Sequence, residues 1–100
     1  MGQLFTSGSW HVSEGMEQEF VEAWRDLAAW TGSNVEGAGR ASLLQDRDDP
    51  LHFVSFGPWE SMEAIEAWRS SEGFQQRVGR IRESLESFEP MTGEVVAGVG

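Results

Sequence analysis

Few side chains in this sequence carry reactive chemistry, and the densest group lies between Leu51 and Phe74. There Trp59, Trp68 and Phe74 follow a short run rich in aromatic and β-branched residues, Leu51 to Phe56, and stand around a Gly57-Pro58 break. Large rigid aromatics set this close form either the heart of a core or one wall of a pocket for a flat apolar ligand. An indole N–H is a donor only, so such a wall offers hydrogen bonds to a ligand without supplying acid or base. The remaining repertoire is thin. Cysteine is absent, which removes thiol nucleophiles, zinc-thiolate sites and disulfides together, and there is no tyrosine. His11 and His52 are the two histidines, and they lack the paired spacing of a metal site. Glu17, Glu22, Glu63, Glu66, Glu83 and Glu86 fall off the apolar stripes and read as a solvated surface; Arg40, beside a glycine-containing loop, is placed either to clamp an anionic ligand or, the favoured reading, to pair with a surface carboxylate.

The elements that must position these groups follow from periodicity. Leu4 to Val12 reads as a strand, with Leu4, Thr6, Gly8, Trp10 and Val12 on one face and Phe5, Ser7, Ser9 and His11 on the other. Met16, Phe20, Trp24 and Leu27 then fall at spacings of three and four, predicting an amphipathic helix that ends near Trp30 to Gly32. After a glycine-containing loop comes a strand from Arg40 to Gln45. The charged turn Asp46 to Pro50 makes a hairpin of it with Leu51 to Phe56. Gly57-Pro58 is expected to end that second strand, because proline cannot donate to a ladder. Ser61 is placed to cap a helix carrying Ile65 and Trp68, and Ser70 to Gly73 interrupts and re-caps it. The stripe Phe74, Val78, Ile81, Leu85 and Phe88 predicts a second helical segment stopped at Glu89-Pro90, followed by a last strand from Thr92 to Val99.

The order strand, helix, strand, strand, broken helix, strand specifies a ferredoxin-like βαββαβ α+β fold, one domain over residues 1–100, with helices on one face of a four-stranded antiparallel sheet. On the parity of Ser55 and Trp59, His11 and His52 point to the opposite face. The strands are apolar on both sides, so helices on one face leave an apolar patch of several hundred Å² on the other, larger than a soluble monomer usually shows. A homodimer closing sheet on sheet is the direct remedy.

Net charge narrows the partners. Seventeen acidic residues stand against seven basic ones, all arginine, for a net charge of −10. Such a chain repels phosphate backbones and anionic lipid, so neither nucleic acid nor a membrane surface is an expected partner. The segment MGQLFTSGSW has no basic flank or apolar run of signal-peptide length, and no stretch approaches the ~20 apolar residues of a membrane span. A soluble, cytoplasmic protein is expected.

The sequence Trp59-Glu60-Ser61, the second tryptophan at Trp68, and Ser71-Glu72-Gly73-Phe74, with Val12 to Phe20 upstream, resembles the antibiotic biosynthesis monooxygenase family of dimeric α/β barrels. The resemblance spans nearly the whole chain. Haem-degrading relatives carry a strand asparagine, a corner tryptophan and an iron-ligating histidine, matched here by Gly8, Trp68 and Val78; valine cannot ligate iron. Relatives that oxidise aromatic polyketide phenols carry an asparagine four residues before the first corner tryptophan, and Ser55 holds that place before Trp59.

The resemblance implies a cofactor-independent monooxygenase acting on a small aromatic, quinol-like substrate. Trp59, Ser55 and Trp68 are the candidate catalytic residues, with the two indole N–H groups and the Ser55 hydroxyl as donors. Gly8, Trp24, Phe53 and Phe74 are the candidate substrate-binding residues, Gly8 and Ser55 being small enough to leave room for a flat ligand. No metal and no cofactor are expected. The alternative is a non-catalytic dimeric module that binds a hydrophobic small molecule or serves only in oligomerisation.

Overall fold

The computed structural model describes residues 2–100. Four antiparallel strands, β1 (Leu4–Val12), β2 (Ser42–Gln45), β3 (His52–Trp59) and β4 (Leu85–Glu94), form one sheet in the order β2-β3-β1-β4. Three helices, α1 (Glu17–Asn34), α2 (Met62–Ser70) and α3 (Glu72–Arg82), connect them. This is the ferredoxin-like α+β architecture expected from the element order.

Local chemistry sets the element ends. Glu17 and Glu19 complement the positive end of α1 in its first turn. The Ser61 hydroxyl accepts the Ala64 N–H at 3.1 Å to open α2, and the Ser71 hydroxyl accepts the Phe74 N–H at 3.2 Å to open α3. The broken helix expected from the sequence is thereby two helices that meet at Ser71. In the β2–β3 turn, the Asp46 and Asp49 carboxylates accept the backbone N–H groups of Asp48 and Leu51, which closes the hairpin.

β2 begins at Ser42 rather than Arg40 and α1 runs on to Asn34, and two further boundaries differ more from the sequence expectation. β3 does not stop at Gly57-Pro58 but runs through to Trp59, with Phe5 opposite Pro58 and Leu4 opposite Trp59. The Pro58 carbonyl accepts the Gly39 N–H at 2.8 Å, so the backbone edge of this residue turns toward the side where β2 has already ended. The missing donor therefore breaks no ladder bond.

The larger difference is at the C-terminal end. α3 closes at Arg82, and Leu85 and Phe88 belong to β4, not to a helix; the strand covers Leu85–Glu94 rather than Thr92 to Val99. Pro90 is accommodated because β4 is an edge strand, paired only with β1. Residues 95–100 have no regular structure, and Val96 and Val99 are fully exposed.

The core lies between the sheet and the helices. Phe20, Ile65, Ile81 and Val12 are its fully buried large side chains, each contributing about 1.5–3 kcal/mol by leaving water. Phe20, Ala23, Leu27 and Thr31 are the buried stripe of α1. Among the described residues no element covers the opposite face of the sheet, which leaves Leu44, Phe56 and Met91 exposed.

Candidate functional site

Between the sheet and the helices a cavity of about 420 Å³ opens partly to solvent. The register of the strands builds its floor: Gly8 lies opposite Ser55 on one side and Pro90 on the other. Alternation along β1 puts Thr6, Gly8 and Trp10 on this face, and α1, α2 and α3 contribute Trp24, Thr31, Trp68 and Phe74 as walls.

Three tryptophans point their N–H groups at hydroxyls within this wall. Trp10 Nε1 donates to Ser55 Oγ, Trp59 Nε1 to Thr6 Oγ1, and Trp68 Nε1 to Thr31 Oγ1, each at 2.9 Å. Trp10, Trp59, Ser55 and Thr31 are buried, so these bonds satisfy donors that would otherwise cost about 1–3 kcal/mol each. In every pair the hydroxyl oxygen is the acceptor, and among the described residues no protein acceptor takes its own O–H. Three polarised O–H groups therefore remain on the cavity wall to bind an oxygen or nitrogen acceptor.

Gly8 makes the first pair possible. A Cβ there would stand 2.8 Å from Phe88 Cε1 and 3.0 Å from the Trp10 indole. With no side chain at Gly8, the Trp10 ring stacks on Phe88 at a centroid distance of 3.9 Å and an interplanar angle of 12°, and its N–H reaches Ser55. Further along the wall, Trp59 packs against Trp68 at 4.9 Å, and Trp68 meets Phe74 edge-on at 4.5 Å.

Of the residues singled out in the sequence, Ser55, Trp59, Trp68, Gly8, Trp24 and Phe74 all line this cavity. Phe53 does not. It faces the helices like Ser55, but is buried in the core against Phe20 at 4.9 Å. The roles of two others change. The indole N–H groups of Trp59 and Trp68 are already given to threonines, so the donors left over are hydroxyls. The space above Gly8 holds the Trp10–Phe88 stack rather than standing open.

Trp10, Thr6, Thr31, Phe88, Arg69 and Arg82 were missed as wall residues. Thr31 had a signal in the sequence, a polar residue falling four after Leu27 on the buried stripe of α1. Val78, where a haem ligand would be required, is a buried apolar residue on the wall.

The ionisable groups gather on the other face. His52 Nδ1 contacts Asp46 Oδ2 at 2.9 Å, His52 Nε2 contacts Ser9 Oγ at 2.9 Å, and the His11 ring stacks on His52 at 4.8 Å. The hydrogen bond with His52, then that from the Asp48 N–H, holds the Asp46 carboxyl below its usual range. The sequence Ser9, His52, Asp46 has the order of a nucleophile, base and orienting acid. However, β1 is bonded to β3 and β4 along both edges, which leaves no backbone N–H to receive an oxyanion beside Ser9.

Comparison with known proteins places this geometry. The model of the antibiotic biosynthesis monooxygenase family matches residues 6–80. No curated protein matches the chain by sequence. SnoaB from Streptomyces nogalater, a cofactor-independent oxygenase, superposes with a TM-score of 0.89 at 20% identity, over 99% of this chain and 98% of that one. PA3566 from Pseudomonas aeruginosa gives 0.80 at 22% identity, over 97% of each chain. A conserved protein from Methanosarcina mazei Go1 gives 0.83 at 17%, over 94% and 93%. These likenesses fix the fold, and the match over residues 6–80 fixes the kinship: the chain belongs to the antibiotic biosynthesis monooxygenase family.

Proposed function

We propose that this chain is a cofactor-independent monooxygenase that uses O2 to oxidise a small electron-rich aromatic, of the phenol, anthrone or quinol kind, in the cavity between sheet and helices. The observation that carries this reading is that three hydroxyl-bearing residues, Ser55, Thr6 and Thr31, each accepting an indole N–H, line one aromatic-walled space.

The chemistry asks for little more. A phenol that has lost its proton is rich enough in electrons to reduce O2 itself. One oxygen atom then enters the ring as a quinone carbonyl, and the other leaves as water with two substrate hydrogens, so the substrate supplies both electrons. Ser55, Thr6 and Thr31 donate to the substrate oxygen where negative charge gathers, and Trp59 and Trp68 hold the two threonines in place. Trp24 and Phe74 confine the ring and limit water around the anion. Phe53 supports this floor from the core, and Gly8 admits the Trp10–Phe88 stack.

The exposed Leu44, Phe56 and Met91 on the bare face of the sheet support a homodimer closed through that face, the dimeric α/β barrel arrangement. The acidic charge is consistent with a cytoplasmic protein acting on a small molecule. Within the described residues no helix is long and apolar enough to cross a membrane.

A second reading, a dimeric module that binds an aromatic without transforming it, is favoured by one feature: no carboxylate or imidazole lines the cavity to take the phenol proton. Oxygen uptake by the purified protein with anthrones and hydroquinones separates the two. Monooxygenase action predicts uptake well above the spontaneous rate, lost in a Ser55→Ala, Trp59→Phe double variant. Quenching of tryptophan fluorescence by the same compounds with no uptake favours the binding module.

A further inference from the structure

The space between sheet and helices does not end where the cavity ends. Beside it lies a groove of about 490 Å³ between α1 and β2, open to solvent. Trp24 and Ala41 line both spaces. Helical spacing explains how one residue serves two sides. Trp24, Leu27, Ala28 and Thr31 line the cavity, whereas Val21, Trp24 and Arg25 line the groove, so Trp24 stands where two stripes of α1 cross.

The floor beneath this crossing is low. Ala41 puts only a methyl group there, and a Cβ added at Gly57 would stand 3.3 Å from it. Two small residues side by side leave the gap between α1 and the sheet to be filled from above. The Trp24 indole is the large side chain that both spaces share.

Its N–H sets it apart from the other tryptophans of the wall. Those of Trp10, Trp59 and Trp68 are fixed on Ser55, Thr6 and Thr31, whereas among the described residues the Trp24 N–H has no protein acceptor. Trp24 is also half-buried. A tryptophan that holds no hydroxyl contributes shape to the wall, and its replacement orphans no buried polar group.

We infer that Trp24 sets the length of the aromatic that the cavity accepts: its indole is the end wall, and the groove behind it is space the ligand does not reach. The inference rests on the cavity being a ligand site, as proposed above, and adds a specificity to it. A compact fused-ring phenol is admitted, and one extended by a further ring toward β2 is refused. A wall of this kind discriminates sharply, since one methylene more or less in an apolar pocket changes affinity about 10- to 200-fold.

The test is calorimetric binding of 2-naphthol and 6-phenyl-2-naphthol, which share the phenol and differ by one ring at the opposite end, to the full chain. The parent is expected to bind the shorter compound at least about tenfold tighter. Trp24→Leu removes that preference with little change for 2-naphthol, and Trp24→Phe, a milder truncation, falls between the two. Adding Ala41→Phe to Trp24→Leu rebuilds the wall from the β2 side and restores the preference, which a general loosening of the fold would not allow. Arg25→Gln, on the groove side, keeps it. Equal affinity of the parent for both compounds, or a preference that survives in both Trp24→Phe and Trp24→Leu, overturns the inference. If neither compound binds the parent or Trp24→Leu, the reading of the cavity as an aromatic ligand site falls with it. If the preference behaves as expected but no phenol drives oxygen uptake, the length limit stands and the oxygenase reading alone falls.

Discussion

The two faces of the sheet are built from neighbouring residues and hold opposite chemistries. Trp10 and Ser55 join across the helix-covered face, while Ser9, next to Trp10, and His52, three residues before Ser55, join across the bare one, because alternate residues of a strand point to opposite sides. On the covered face the polar groups are neutral hydroxyls fed by indole N–H groups, with two arginines on the wall. On the bare face lie the imidazoles and the Asp46 carboxylate, amid exposed apolar side chains. Residues that look catalytic by type are thus on the side without a cavity, and the side with a cavity has no acid or base of its own. Acid–base residue types point to one face here; enclosed space and unspent O–H donors point to the other.

Substitutions can break this contrast at graded points. Trp59 is 4% exposed and sits in the wall with its N–H on Thr6, so Trp59→Ala is expected to cost about 3–5 kcal/mol in denaturant unfolding. Trp68 is half-buried, and its loss should cost clearly less. Equal losses would mean that both tryptophans are core and that the cavity is incidental. Gly8→Ala comes next. Its Cβ falls against Phe88 and Trp10, and an overpacked site of this kind costs about 1–3 kcal/mol, with a change in the near-ultraviolet dichroism of the tryptophans.

The smallest effect belongs to the bare face. A carboxyl whose pKa is lower folded than unfolded stabilises the fold above its ordinary value, 3.8 for Asp46, and loses that contribution as pH falls through the lower, folded value. Asp46→Asn should therefore reduce stability slightly at neutral pH, and the difference from the parent should shrink as the pH is lowered below 3.8. A variant as stable as the parent at every pH would show the contact with His52 to be inconsequential.

Much of this was legible from residue spacing. Ser61 and the run Ser70 to Gly73 announced the two helix starts because a hydroxyl before an apolar periodic run has one common use. Strand parity placed Ser55 and both histidines on their correct faces. The helix predicted through Phe88 failed because Phe74, Val78, Ile81, Leu85 and Phe88 keep a period of three and four whether or not the backbone is helical. Leu85 and Phe88 still pack toward the core, from β4, opposite Val12 and Trp10. Pro90 misled because its cost depends on strand order, which puts β4 at an edge.

The cavity was less legible. Trp59 and Thr6, or Trp68 and Thr31, lie far apart in the chain and meet only through strand register and helix packing, so no local spacing reveals the pairs. Arg69 and Arg82 were hidden for the same reason, since they reach the wall from the ends of different helices.

The most direct test of the account is oxygen uptake with an anthrone substrate, measured side by side for the parent chain, Ser55→Ala and His52→Ala. Chemistry on the covered face predicts uptake that falls sharply in Ser55→Ala and persists in His52→Ala. Uptake that persists without the Ser55 hydroxyl and disappears without the His52 imidazole would move the reaction to the bare face and contradict the account.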